Sequence, residues 1–381
     1  IGMTAAGIVA RGNSASGVAI ISGASNQIGA AGKGNVIVGS TYGVFISDSG
    51  ADDNGISANQ IGVLGTSAFA NGTGVLIQSG AKRTVIGGTA ANAGNTIAGN
   101  TNDGVLIDGA GTDATRVEGN GIGVTSGSVV ANRVGVRVSD GAKDTVIGGP
   151  AQNYTNYIGG NASHGVVIAG TGTSNTWVIG NGVGNNGWSQ TSFAMNGGDG
   201  IQVLSPAAST VISKNVISEN VGHGVVISGV SATNNQVLAN YIGLLKSGSP
   251  PFLLSHTNGG DGVRIQAGAH ANTIGLPGLG NTISGNGNDG VGLRGNGSSN
   301  NVVYNNVIGL YPDQLAKLGN GASGVAMLQG ASGNEIGGSR DLARANVIAG
   351  NTANGVYIET VSNTVTGNLI GTNRYSENGM G

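Results

Sequence analysis

The 381-residue sequence predicts an all-β solenoid of about twelve short rungs, and three patterns carry that expectation. An I/V-G phrase returns at Ile1, Ile61, Ile122, Val183, Ile242, Ile308 and Ile370, at intervals of 60, 61, 61, 59, 66 and 62 residues. A period of that size indicates stacked units that bury their apolar faces on one another. Each unit also holds two copies of a shorter phrase, G-V-x-I or a close variant. Finally, glycine accounts for 76 residues, and no stretch shows the apolar spacing of a helix.

The G-V-x-I phrase begins at Gly17, Gly43, Gly74, Gly104, Gly135, Gly165, Gly200, Gly224, Gly262, Gly290, Gly324 and Gly355. Its alternation sets Val and Ile on one face, as in a half-buried strand, so Val105, Ile107, Val225, Ile227, Val263 and Ile265 are expected to point inward. Two further strands come from an N-x-I-G phrase (residues 59–62, 120–123, 240–243 and 306–309) and a G-N-x-I phrase (residues 94–97 and 280–283). Asn-Gly, Asp-Gly and Ser-Gly pairs supply left-handed bends between them. A rung is therefore strand and bend, three times over. It returns after about thirty residues, so like positions lie roughly 4.8 Å apart. Asn35, Asn95, Asn156, Asn215, Asn281 and Asn346 precede an inward Ile or Val, or a strand residue beside one, and are expected to pair amide to amide along the stack.

The phrases G-N-T-I-A-G-N (residues 94–100), D-G-V-L-I (103–107) and T-V-I-G-G (84–88 and 145–149) resemble the repeats of the pectate-lyase-like superfamily. More narrowly they are similar to the repeats of large bacterial surface and autotransporter-type proteins. The resemblance covers essentially the whole chain. It implies a right-handed parallel β-helix, a single repeat domain over residues 1–381 with six units and the start of a seventh. Both ends fall inside a repeat, so a section of a longer chain is expected. The implied setting is extracellular or the bacterial cell surface, with a structural or adhesive role. Because this fold also carries catalysts, a polysaccharide-active enzyme, glycoside hydrolase or lyase, is the alternative. A subunit that self-associates end to end into a filament is a third reading.

Composition excludes several classes. Charged residues make up 9% of the chain and the net charge is −2, so no polyanion partner is implied. Aromatics are 4% and the 16 Lys and Arg are scattered, unlike the basic stripe of a nucleic-acid binder. Cysteine is absent, which removes disulfides and thiol chemistry. No apolar run approaches the roughly 20 residues of a membrane span.

Binding is expected where the units differ. The segment between the I-G phrase and the next G-V strand spans 12 positions from Gly62 to Gly74, but 16 from Gly184 to Gly200 and 19 from Gly243 to Gly262. The two long loops hold Trp188, Phe193, Phe252 and His256, which with Arg264 are the candidate binding residues. Insertions in repeat proteins collect on one face, and aromatic rings there suit a polysaccharide or another surface protein.

Asp199, His223, Asp261 and Asp289 each precede a G-V-type strand on consecutive rungs. Carboxylates two rungs apart would suit an inverting glycosidase. The alternative is that Asp-Gly and His-Gly are turn dipeptides at a bend, where the short polar side chain bonds its own backbone. Asp103, Ser323 and Asn354 occupy the same position without such company, so the structural role is expected and no catalytic residue is assigned. Gly222-His223-Gly224 is similar to an element of pectin-hydrolysing polygalacturonases, with Arg264 downstream where that family carries an arginine. The family's N-T-D element is missing, and the D-D pair here, Asp52-Asp53, is remote. A pectate-lyase site would need acidic calcium ligands beside a basic residue, and Arg137, Arg264 and Arg294 are expected to have no dense acidic cluster beside them. No cofactor is expected, calcium at the Asp-Gly bends being the one candidate, since residues 259–262 resemble a fragment of the calcium repeat of secreted RTX proteins.

Overall fold

A computed structural model describes residues 1–4, 9–185, 194–244, 257–338 and 343–375. The chain divides into two compact units, Ile1–Gly198 and Asp199–Gly381. The fold is a right-handed parallel β-helix with six rungs in each unit, and each rung contributes one strand to each of three parallel sheets.

In the first unit the G-V-x-I phrases form the first sheet: Ser16–Ile21, Tyr42–Ser47, Thr73–Gln78, Asp103–Asp108, Val134–Ser139 and Val166–Ile168. The second sheet runs from Gln27–Ile28 to Trp177–Ile179 and the third from Val36–Ile37 to Gly182–Val183. The second unit repeats this plan. Its first sheet comprises Ile201–Leu204, Val225–Ser228, Val263–Gln266, Val291–Arg294, Val325–Leu328 and Val356–Ile358. Strands are two to six residues long. The helical element among the described residues is one 3-10 turn, Gln152–Tyr154, which the sequence pattern does not announce.

The register stacks like on like. Ile46 pairs with Ile77, Ile77 with Ile107 and Ile107 with Val138, all with no exposed surface. Val105, Val225, Ile227, Val263 and Ile265 are likewise fully buried. Each such side chain contributes on the order of 1.5–3 kcal/mol of burial. The glycine that opens each phrase is required by proximity rather than by a left-handed backbone. A Cβ on Gly74 would meet the Gly104 carbonyl oxygen at 2.5 Å and the Ile97 Cγ2 at 2.9 Å.

Polar residues seal the bends. In the first unit Asn35, Asn59, Asn95, Asn120, Asn156 and Asn181 form one ladder, each Nδ2 donating to the Oδ1 of the next at 2.9–3.1 Å. The expected asparagines are thus every second member of a column that has one on each rung. A second ladder joins Asn71, Asn100, Asn132, Asn161 and Asn196. The second unit has both, through Asn215–Asn240–Asn281–Asn306–Asn346–Asn368 and Asn220–Asn258–Asn286–Asn320–Asn351. It also has a third, Asn235–Asn272–Asn301–Asn334–Asn363. The equivalent station in the first unit begins with a short ladder, Asn26 Nδ2 donating to Asn54 Oδ1 at 3.1 Å, and continues with Thr84, Thr115, Thr145 and Thr176.

Candidate functional site

The long loops leave after the third-sheet strands Gln60–Ile61, Gly121–Ile122 and Gly182–Val183 in the first unit, and after Tyr241–Ile242 and Val307–Ile308 in the second. Trp188, Phe193, Phe252 and His256 lie outside the described residues. One described loop folds inward: Leu310, fully buried, packs on Val347 and Ala349.

The densest set of ionisable side chains in the second unit lies on its first sheet. The strands Ile201–Leu204, Val225–Ser228, Val263–Gln266 and Val291–Arg294 pair in register, with Gln202 beside Val226, Arg264 beside Gly292 and Gln266 beside Arg294. Since Val263, Ile265, Val291 and Leu293 point inward, Arg264, Gln266 and Arg294 stand on the outer face. The residues that precede these strands run along its edge.

Those edge residues form a relay with a constant direction. Asp199 Oδ1 accepts the backbone N–H of His223 at 2.7 Å, and its Oδ2 accepts from Gln202 Nε2 at 2.7 Å. His223 Nδ1 accepts the N–H of Asp261 at 2.7 Å. Asp261 Oδ1 accepts the N–H of Asp289 at 3.2 Å and Nδ2 of Asn288 at 2.7 Å. Asp289 Oδ1 accepts the N–H of Ser323 at 2.9 Å. Each side chain therefore fastens the next rung. Gly260 leaves the space that the His223 ring fills, since a Cβ there would overlap Nδ1.

The remaining carboxylate oxygens meet arginines. Asp261, with no exposed surface, receives Arg264 Nε at 2.8 Å, and Arg294 Nε lies 3.7 Å from the same oxygen, buried and without a hydrogen bond. Arg294 Nη2 donates to Asp289 at 2.6 Å. In the first unit Arg137 reaches back to Asp103 of the preceding rung at 3.0 Å. One carboxylate, Asp261, thus stands beside Arg264, and two, Asp261 and Asp289, beside Arg294. Asn288, Gln202 and Arg294 are members of this group that sequence reasoning did not assign. The available signal for Gln202 and Arg294 was strand alternation, which puts the variable residue after Val, and the one two positions further on, on the outer side, whereas Asn288 belongs to the bend before its strand.

Burial shifts the pKa of two members. It is the main cause that lowers the His223 pKa below its ordinary 6.5, with Arg264 adding to the effect, which agrees with a neutral ring whose Nδ1 accepts. Asp289 is shifted upward, again chiefly by burial. Among the described residues no three His, Asp or Glu side chains gather in a way that would hold a metal ion.

The model of the family described as "Periplasmic copper-binding protein (NosD)" matches residues 114–311. No curated protein matches the chain. Two variants of the periplasmic alginate epimerase AlgG superpose on it with TM-scores of 0.52, at 13% identity, over 85% of this chain and 71% and 70% of theirs. The A-module of an Azotobacter vinelandii mannuronan C-5 epimerase gives 0.43 at 15% identity over 90% of both chains. At these identities the likeness is one of fold.

Proposed function

From the premise that this chain belongs to the NosD family, whose model spans just over half of it, we propose a non-catalytic β-helix scaffold on the periplasmic or extracellular side of a bacterial envelope. One observation carries this: the atoms that acid–base chemistry would need are already bonded within the stack. Nδ1 of His223 and one oxygen each of Asp199, Asp261 and Asp289 accept the N–H of the following rung. The residue best placed to be a general acid or base, Asp261, has no exposed surface and lies beside two guanidinium groups.

The partner class we propose is a polysaccharide. What supports it is the outer face of the first sheet in the second unit, where Gln202, Ser228, Arg264, Gln266 and Arg294 stand partly exposed on neighbouring strands. Such a surface offers hydrogen bonds with little net charge. Copper, named in the family's description, has no matching donor set among the described residues. His223 Nδ1 is occupied, Met327 is wholly buried in the core, and cysteine is absent.

The test is depolymerisation of pectic, alginate and chitin-like polymers by the intact chain, by Asp261→Asn and by His223→Gln. No turnover by any of the three is expected. Turnover by the intact chain that either variant abolishes, with the β-sheet circular dichroism retained, would overturn the scaffold assignment. Retention of the chain on immobilised polymers, reduced by Arg264→Gln, is the expected positive result.

A further inference from the structure

Asparagine followed by glycine is the dipeptide most prone to cyclise. The glycine nitrogen attacks the side-chain amide carbon, ammonia leaves, and water opens the resulting succinimide to aspartate or isoaspartate. The reaction needs a free glycine N–H and a side-chain amide that can turn toward it. The described residues contain ten such pairs, and eight of their asparagines are ladder residues, at most 2% exposed. In those eight the glycine nitrogen is also engaged. The N–H groups of Gly72, Gly121, Gly259 and Gly287, for example, donate to Ser40, Asn95, Asn220 and Asn258 at 2.7–2.9 Å.

Asn296-Gly297 differs on both counts. It lies at the bend after the strand Val291–Arg294, both residues are exposed, and neither the Asn296 amide nor the Gly297 N–H makes a hydrogen bond. Its neighbours on the adjoining rungs are glycines: Gly330 stands against Asn296 Oδ1, and the Cα of Gly268 faces Gly297. No side chain there restrains the turn of the amide. Asn354-Gly355, the remaining pair, is on the last strand-bearing rung and Asn354 is exposed as well.

We propose that Asn296 is a site of spontaneous covalent modification by deamidation, and that the asparagine ladders withhold eight chemically identical pairs from the same reaction. The product adds one negative charge to the bend beyond Arg294. On the isoaspartate branch it also adds one methylene to the backbone. This inference is independent of the scaffold assignment.

The intact chain, folded and in denaturant, is incubated at mildly alkaline pH and mapped by peptide mass spectrometry with isoaspartate detection. In denaturant all twelve Asn-Gly pairs of the sequence, the ten above among them, should react at similar rates. In the folded chain Asn296 should keep its denatured rate to within about threefold, whereas the ladder asparagines should slow by about tenfold or more, because reaction there waits on local opening. A ladder pair that reacts at its denatured rate, or an Asn296 slowed as much as the ladder, would overturn the proposal. Asn296→Ser should remove the isoaspartate peptide at that bend and leave the ladder rates unchanged.

Discussion

Asn301 and Thr145 hold equivalent stations in the two units yet contribute differently. Asn301 Nδ2 donates to Asn334 at 3.0 Å and to the Ala269 carbonyl at 3.2 Å, while its Oδ1 accepts from Asn272. The Thr145 hydroxyl is buried with no partner. Removing the Asn301 amide leaves several buried groups unmatched, so Asn301→Ala should cost on the order of 3 kcal/mol. Thr145→Val keeps the shape and deletes the unmatched hydroxyl, and should be neutral or slightly stabilising. Urea denaturation of both variants checks this, and a Thr145→Val that loses as much stability as Asn301→Ala would refute it. His223 supplies a pH dependence at the same scale. Its folded pKa lies below 6.5, so the unfolded chain takes up the proton first as pH falls. Its stabilising effect is complete above 6.5 and is lost between 6.5 and the lowered value. Melting temperature should therefore fall across that window, and His223→Gln should flatten the slope. An unchanged slope would show that His223 does not carry it. Asp289, shifted upward, works in the opposite sense at lower pH, since the folded chain holds its proton more tightly.

At the level of the element, periodicity showed where the strands are, because Val and Ile at alternate positions have one face that can be buried. It also located half of the main ladder. What it missed has a geometric cause. Asn59 meets Asn95 across 36 residues and Asn95 meets Asn120 across 25, because loops of unequal length intervene. Column mates therefore stand at irregular sequence distances, and Asn59, Asn120, Asn240 and Asn306 read as parts of their own phrases. The arginine–carboxylate contacts that cross between rungs were hidden similarly, whereas Arg264–Asp261 and Arg294–Asp289 lie within three and five residues. Arg137 and Asp103 are 34 residues apart and become neighbours only once the rungs are in register. The relay through Asp199, His223, Asp261 and Asp289 was legible as a column, but its side chains bond the N–H of the next rung, 24 to 38 residues on, and not their own backbone as a turn dipeptide would. The loop at Leu310 shows the limit of reading insertions as binding surface, since its first residue after the glycine turns in against the third sheet.

For the molecule as a whole, stacking makes stability a sum over neighbouring rungs. The first unit offers a clean test. Ile61-Gly62-Val63 and Ile122-Gly123-Val124 are the same phrase at the same corner, so excising residues 62–122 joins Ile61 to Gly123 and removes two rungs without altering phase. This deletion should fold, with the circular dichroism per residue preserved and a urea m-value reduced in proportion to the surface removed. Excising residues 62–81 instead cuts within a rung and should not give a cooperative transition. Failure of the first deletion to fold would mean that coupling extends beyond adjacent rungs.

The ladders also have a sense of travel. Asn59 accepts through Oδ1 from Asn35 on the earlier rung, and offers both its backbone N–H and its Nδ2 to Asn95 on the later one. Every amide-to-amide bond described in these columns runs in that direction, Nδ2 of the earlier rung to Oδ1 of the later. A chain emerging from the ribosome or threading through a membrane pore amino end first would thus always expose donors at its growing face. Each turn of newly arrived polypeptide brings the oxygen they lack. Assembly is a one-way zipper whose next tooth is supplied by translation or export, so the pace of delivery can set the pace of folding.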